Sequence, residues 1–123
     1  MTIRNDQFYM EGIWDWAILN GCFGDTRIEP TDIDGLVERN GKFLVLETKS
    51  PGVTIPKGQE IMFKSFVRVS GAVVIVIWGQ KNNPEKIKVF SRKHPDGFDI
   101  QSANMEYLRR LVATWFDRAN NAA

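Results

Sequence analysis

Asp32-Ile33-Asp34-Gly35-Leu36-Val37-Glu38-Arg39-Asn40-Gly41-Lys42-Phe43-Leu44-Val45-Leu46-Glu47-Thr48-Lys49 is the stretch that decides how this chain folds. Asn40-Gly41 between two apolar runs is a strong hairpin signal, because a type I′ turn needs positive φ at both central residues. With those two residues as the loop, Arg39 pairs with Lys42 and the numbers of every cross-strand pair sum to 81. That register sets Asp34 opposite Glu47 and Asp32 opposite Lys49, and period-2 alternation puts all four on one face of the sheet. Directly opposed side chains lie roughly 4.5–5.5 Å apart at Cβ, where two carboxylates repel each other. A divalent cation between Asp34 and Glu47 is the expected offset, with Lys49 beside it.

Outward from the hairpin, the spacing predicts a helix over 5–20, with Tyr9, Ile13, Trp16 and Ala17 on one face and Asn20-Gly21 as its stop. Glu11 and Asp15 lie one turn apart on that helix, Asp15 on the surface. Residues 22–30 carry turn chemistry, with room for a short extra strand at Thr26–Glu29. Ser50-Pro51-Gly52 ends the second hairpin strand. Pro56 suits the first turn of a second helix, with Thr54 as its cap. On that helix Gln59, Met62, Phe63 and Phe66 share a face, so a glutamine joins the core side. Ala72–Trp78 is a continuous β-branched run, the mark of a strand covered on both faces. Lys81–Glu85 reads as a turn, Lys86–Phe90 as an edge-like strand, and His94-Pro95-Asp96-Gly97 as a loop. A last helix over 103–119 carries Leu108, Leu111, Val112 and Trp115 as one apolar stripe. The four tryptophans fall mostly at core positions, Trp14 being the candidate for exposure. The expected order is α-β-β-α-β-β-α, a mixed β-sheet flanked by helices in one α/β domain over residues 1–123.

Composition narrows the chemistry. The chain has one histidine and one cysteine in 123 residues, which removes most zinc sites and Cys/His or Ser/His/Asp nucleophiles. Carboxylates, lysine and a hard metal remain. Cys22 alone fits a reducing, cytoplasmic compartment, nothing among the first residues reads as an export signal, and no apolar run is long enough for a membrane span. Residues 1–48 carry four basic and nine acidic side chains, whereas 49–93 carry nine basic and two acidic. A basic middle beside an acidic cluster suits phosphate binding around a cation, with Lys57, Lys64, Lys81 and Lys86 as the phosphate contacts. Charge alone equally allows a solvated lysine-rich face.

Asp34…Glu47-Thr48-Lys49 resembles the PD-(D/E)XK nuclease signature: an Asp on one strand, then acid-X-Lys on its antiparallel neighbour. Thr31–Val37 resembles the RecB-like version. Glu47-Thr48-Lys49-Ser50-Pro51-Gly52, with Gln59 twelve residues after Glu47, is similar to the VRR-NUC branch. The likeness covers roughly residues 30–67. Pro30-Thr31-Asp32 departs from the family's Pro-Asp pair and leaves Asp32 as a second candidate for the first acid; Asp34 is preferred because it faces Glu47. The resemblance implies a restriction-endonuclease-like fold and a metal-dependent deoxyribonuclease. It implies Mg²⁺ or Mn²⁺ held by Asp34, Glu47 and the main-chain carbonyl of Thr48, with Glu11 as a further ligand in some relatives. Lys49 would orient or activate the attacking water, and Gln59 would hold Lys49 or a site water. A chain this small would select DNA by shape, so branched DNA or DNA with single-stranded regions is the expected substrate and a homodimer the expected assembly. The alternative is a nuclease-fold module that binds nucleic acid without cleaving it.

Overall fold

The computed structural model describes residues 12–122, and their contacts divide them into an N-terminal unit ending at Asp32 and a main unit from Ile33 onward. The main unit runs β1 (Gly35–Arg39), β2 (Lys42–Lys49), α1 (Lys57–Ser70), β3 (Val73–Gln80), β4 (Asn83–Phe90), β5 (Phe98–Ile100) and α2 (Met105–Asn120). The strands lie side by side in chain order, β2 and β3 parallel across α1 and the other neighbours antiparallel. This is a mixed sheet flanked by helices, the α/β arrangement expected and consistent with a restriction-endonuclease-like layout.

The hairpin has the register its turn dictates, from Gly35 opposite Leu46 to Arg39 opposite Lys42. Asn40 and Gly41 both take positive φ, 51° and 77°. Asn40 also works outside the turn. Its Nδ2 donates to the carbonyls of Ala119 and Asn120 at 3.0 and 3.3 Å, and the Arg39 Nε donates to the Asn120 side-chain oxygen at 2.8 Å. The turn therefore satisfies carbonyls that α2 leaves open at its C-terminal end.

Both faces of β3 are buried, which explains its unbroken apolar run. Val74, Val76 and Trp78 pack with Val45, Phe90 and the fully buried Phe63 and Val67 of α1. Ile75 and Ile77 pack with Leu44 and Ile87 under Leu108, Leu111, Val112 and Trp115 of α2. Gly71 ends α1 in the left-handed region at φ 75°, and the Asn104 side chain starts α2 by accepting from the Tyr107 amide at 2.9 Å.

Several expectations are corrected. The helix predicted over 5–20 lies in part outside the described residues; in the remainder it is broken after Gly12, and only a 3₁₀ turn at Trp16–Leu19 follows, opened by Asp15 accepting from the Ala17 amide. Ile13, Trp14, Trp16 and Ile18 are exposed, so this segment lacks the buried face that stabilises a helix. Thr26–Glu29 forms no strand, because the Thr26 hydroxyl turns the chain through bonds to the Phe23 carbonyl and the Ile28 amide. Thr54 does not cap α1; Pro56 occupies the cap position without a side-chain bond. The turn after β3 is only Lys81-Asn82, and β4 starts at Asn83, its Pro84 accommodated where the register shifts beside Gly79. Strand β4 is not an edge, because β5 pairs with it through Ile87–Ile100 and Val89–Phe98. Asp32 precedes the first ladder pair, so the ladder does not extend to an Asp32–Lys49 pairing. No helix among the described residues is long and apolar enough to cross a membrane.

Replacing Asn40 separates its two roles. Asn40→Gly keeps the turn conformation but loses both bonds to α2, an expected cost of about 1 kcal/mol. Asn40→Ala loses the same bonds and adds roughly 1–2 kcal/mol of left-handed strain. Urea unfolding should rank wild type above Gly above Ala; equal losses in the two variants would deny the turn its conformational role.

Candidate active site

Along β2 the apolar alternation continues into a carboxylate. Glu47 lies opposite Val76 of β3 and follows Val45 on the face beneath α1, and it is only 4% exposed. A carboxyl group buried there costs several kcal/mol or more unless it is hydrogen-bonded. Gln59, in the first turn of α1, supplies one bond, its Nε2 donating to Glu47 Oε2 at 2.9 Å. The helix is held in that rotation by Phe63 and Val67, one and two turns further on, which are fully buried against the same face.

Asp34 supplies the second contact. It stands one residue before β1, where the hairpin register continues toward Glu47. Its Oδ2 accepts from the Thr48 amide at 2.8 Å and from the Thr48 hydroxyl at 3.0 Å. The hydrogen bond to the Glu47 carboxyl is the main cause that holds Asp34 below the usual carboxylate range, with the Thr48 donors and the charge of Lys49 adding to it against the opposing effect of burial. A cation between the two acids would offset the repulsion expected of opposed carboxylates.

Lys49 ends β2 opposite Trp78, half-buried. The loop after it is fastened to the sheet, because the Trp78 indole N–H donates to the Val53 carbonyl. The end of β2 is concave on both sides. A cavity of about 440 Å³ is lined by Thr48, Lys49, Ser50, Lys81 and Asn83, and another of about 550 Å³ by Pro51, Gly52 and Trp78 with Lys86 and Lys88 beside the carboxylates of Glu60, Glu85 and Asp99. Lys86 places its ammonium 4.7 Å from the centre of the Trp78 ring.

Asp34, Glu47, Thr48 and Gln59 are therefore brought together by direct bonds. Gln59 differs in detail from its expected role: its amide nitrogen holds Glu47 rather than Lys49. Its Oε1 is buried with no partner among the described residues. Glu11 lies outside the described residues. Of the four lysines expected to meet phosphate, Lys57 at the start of α1 and Lys81 in the β3–β4 turn are exposed, whereas Lys64 is engaged by Glu60 at 3.1 Å and Asp96 at 3.5 Å. The Thr48 side chain takes a part that the sequence pattern does not signal, since the resemblance points only to its carbonyl. Strand alternation sends a hydroxyl at 48 away from its neighbours' face, and only the off-ladder position of Asp34 lets the two meet.

Among the described residues no three histidine, cysteine or acidic side chains cluster as a metal-holding group; the site has two carboxyls. Compared with known proteins, the chain matches no family model, no curated protein and no solved structure.

Thr48→Val removes one donor to Asp34 and should raise the Asp34 pKa, read by carboxyl ¹³C titration. The depressed pKa adds stability above the ordinary value of 3.8 that is lost as pH falls through the folded value. The variant should thus lose roughly 0.5–1.5 kcal/mol at neutral pH and progressively less in acid. An unmoved titration would take the hydroxyl out of the site.

Proposed function

We propose that the chain is a metal-dependent deoxyribonuclease of the PD-(D/E)XK type that hydrolyses DNA phosphodiesters, with branched DNA such as junctions and flaps preferred. The observation that carries this reading is the contact of the Asp34 and Glu47 carboxyls at the end of β2, with Gln59 bonded to Glu47. Lys49 follows two residues along the same strand.

The donor set suits Mg²⁺ or Mn²⁺, which take one or two protein carboxylates and complete their shell with water and phosphate oxygens. Asp34, Glu47 and the Thr48 carbonyl would hold the ion. When bound, it polarises the scissile phosphate and lowers the pKa of the attacking water. The remaining tasks fall to the chain's own groups. Gln59 keeps the buried Glu47 fixed, and its spare Oε1 is an acceptor for a site water. The Thr48 amide and hydroxyl aim Asp34. Lys49 would orient the water and offset charge that develops on the pentacovalent transition state.

Lys57, Lys81 and Lys86 would bind flanking phosphates, with Lys64 contributing least because its charge is already engaged. Phosphate contacts position DNA without reading its sequence, so selectivity would rest on DNA shape and on a homodimer. An exposed, unpaired Cys22 fits a cytoplasmic setting. The second reading, a nucleic-acid-binding module without cleavage, is favoured by the presence of only two carboxyls among the described residues.

Two measurements separate these readings. Millimolar Mn²⁺ should raise the melting temperature of wild type but not of Asp34→Asn. Lys49→Ala should keep that thermal shift while cleavage of linear, flap and four-way-junction DNA falls by about a hundredfold or more. Absence of a shift in wild type would remove the metal site. A shift with salt-dependent DNA binding but no cleavage would establish the binding module instead.

A further inference from the structure

The opposite end of the sheet holds a further concavity that the nuclease reading does not use. It lies between α2 and the sheet, has a volume of about 620 Å³, and falls within the ~300–1,000 Å³ range of small-molecule pockets. Its apolar wall is built from Val73, Ile75, Val89, Leu111 and Trp115. Its charged groups are all basic: Lys42, Arg92, Lys93, Arg110 and Arg118 line it beside the uncharged polar side chains of Ser91, Tyr107 and Thr114 and the imidazole of His94, and no carboxylate does. Arg110 is paired with Glu106 at 3.0 Å, whereas Lys42, Arg92, Lys93 and Arg118 have no ion-pair partner among the described residues. Lys42 begins β2 and Lys49 ends it, which separates this pocket from the Asp34–Glu47 site by roughly 20 Å of extended strand.

The backbone makes room for one of these cations. Gly71 takes φ 75° at the end of α1, and a Cβ there would stand 3.1 Å from the Arg92 guanidinium carbon. Arg92 therefore lies across the glycine at the pocket wall. Four unneutralised cations around an apolar hollow repel one another, and an anion with a hydrocarbon body satisfies both parts of the lining. The lining has no Asn, Gln, Asp or Glu that would read the edge of a nucleobase, and its floor is mainly branched aliphatic.

We infer that this pocket is a binding site for a small amphipathic anion, an aliphatic carboxylate whose chain lies on the Val73–Ile75–Leu111 surface and whose head group meets Lys42 and Arg92. Nothing in this assignment depends on the nuclease reading, since the two sites share no residue. Titration calorimetry with decanoate below its micellar range should give saturable binding at one site per chain. The double variant Lys42→Gln/Arg92→Gln should weaken it at least tenfold, and Thr114→Trp, which fills the pocket from α2, should do the same by a different route. Asp34→Asn should bind decanoate as wild type does. Circular dichroism melts verify that each variant is folded. Decyltrimethylammonium, with a similar tail and the opposite charge, should not bind at this site. Absence of saturable decanoate binding, equal affinity for the cationic amphiphile, or unchanged affinity in both the charge and the filling variants would overturn the assignment. Preferential binding of AMP over decanoate would replace it with a nucleotide site.

Discussion

A carboxyl group with 4% exposure inside an apolar face constrains everything around it. Glu47 continues the buried pattern of β2 on the side where Val45 and Val74 pack against α1, and it is accommodated there by bonds from two directions. One comes from Gln59, so α1 must start near the end of β2 and present this residue inward. The other comes from Asp34, so the first hairpin strand must arrive in one register. A slip of one residue in the hairpin would turn Asp34 to the other face and leave Glu47 short of a partner. The helix rotation set by Phe63 and the turn conformation set by Asn40-Gly41 thereby act on the same buried group.

That arrangement also explains the division of the molecule into two ends. Strand β2 begins at Lys42 in a cationic, apolar-floored pocket and ends at the acidic pair and Lys49. The net excess of basic residues between 49 and 93 is consequently not one surface. Lys49, Lys81 and Lys86 line the concavities beside the acids, while Arg92 and Lys93 lie with Lys42 at the far end. Lys64 is neutralised by Glu60 and Asp96. Summed charge along a sequence cannot separate such groups, because consecutive antiparallel strands carry neighbouring residues to opposite ends of a sheet.

Where the structure departs from the sequence pattern, each departure has its own physical cause. The N-terminal segment has helical spacing in Ile13, Trp16 and Ala17, but spacing stabilises a helix only when the apolar face is covered, and these large side chains are exposed. Strand β5 has three residues, too few for period-2 alternation to stand out from a loop, and it exists because β4 offers it an open edge. Val67 of α1 is fully buried although it lies outside the stripe that Gln59, Met62, Phe63 and Phe66 mark in the sequence.

By itself the sequence determined the hairpin, its register, the doubly covered β3, the two helices of the main unit and the Asp34–Glu47 juxtaposition. Each of these follows from a local rule: positive φ at Asn-Gly, alternation along a strand, or an apolar run between breakers. Only the tertiary structure decided which atom each site residue holds. Gln59 bonds Glu47 because the packing of Phe63 and Val67 fixes the height and rotation of α1 over the sheet. Thr48 bonds Asp34 because Asp34 lies just beyond the ladder, where the backbone is free to leave the pleat. The cationic pocket is likewise invisible in sequence, since Lys42 at the start of β2, Arg92 just after β4 and Arg118 of α2 come to line one hollow only when β2 and β4 flank β3 and α2 packs across the sheet. Local rules act over a few residues, whereas these contacts join positions up to 76 residues apart in the chain, brought together by burial of the two faces of β3.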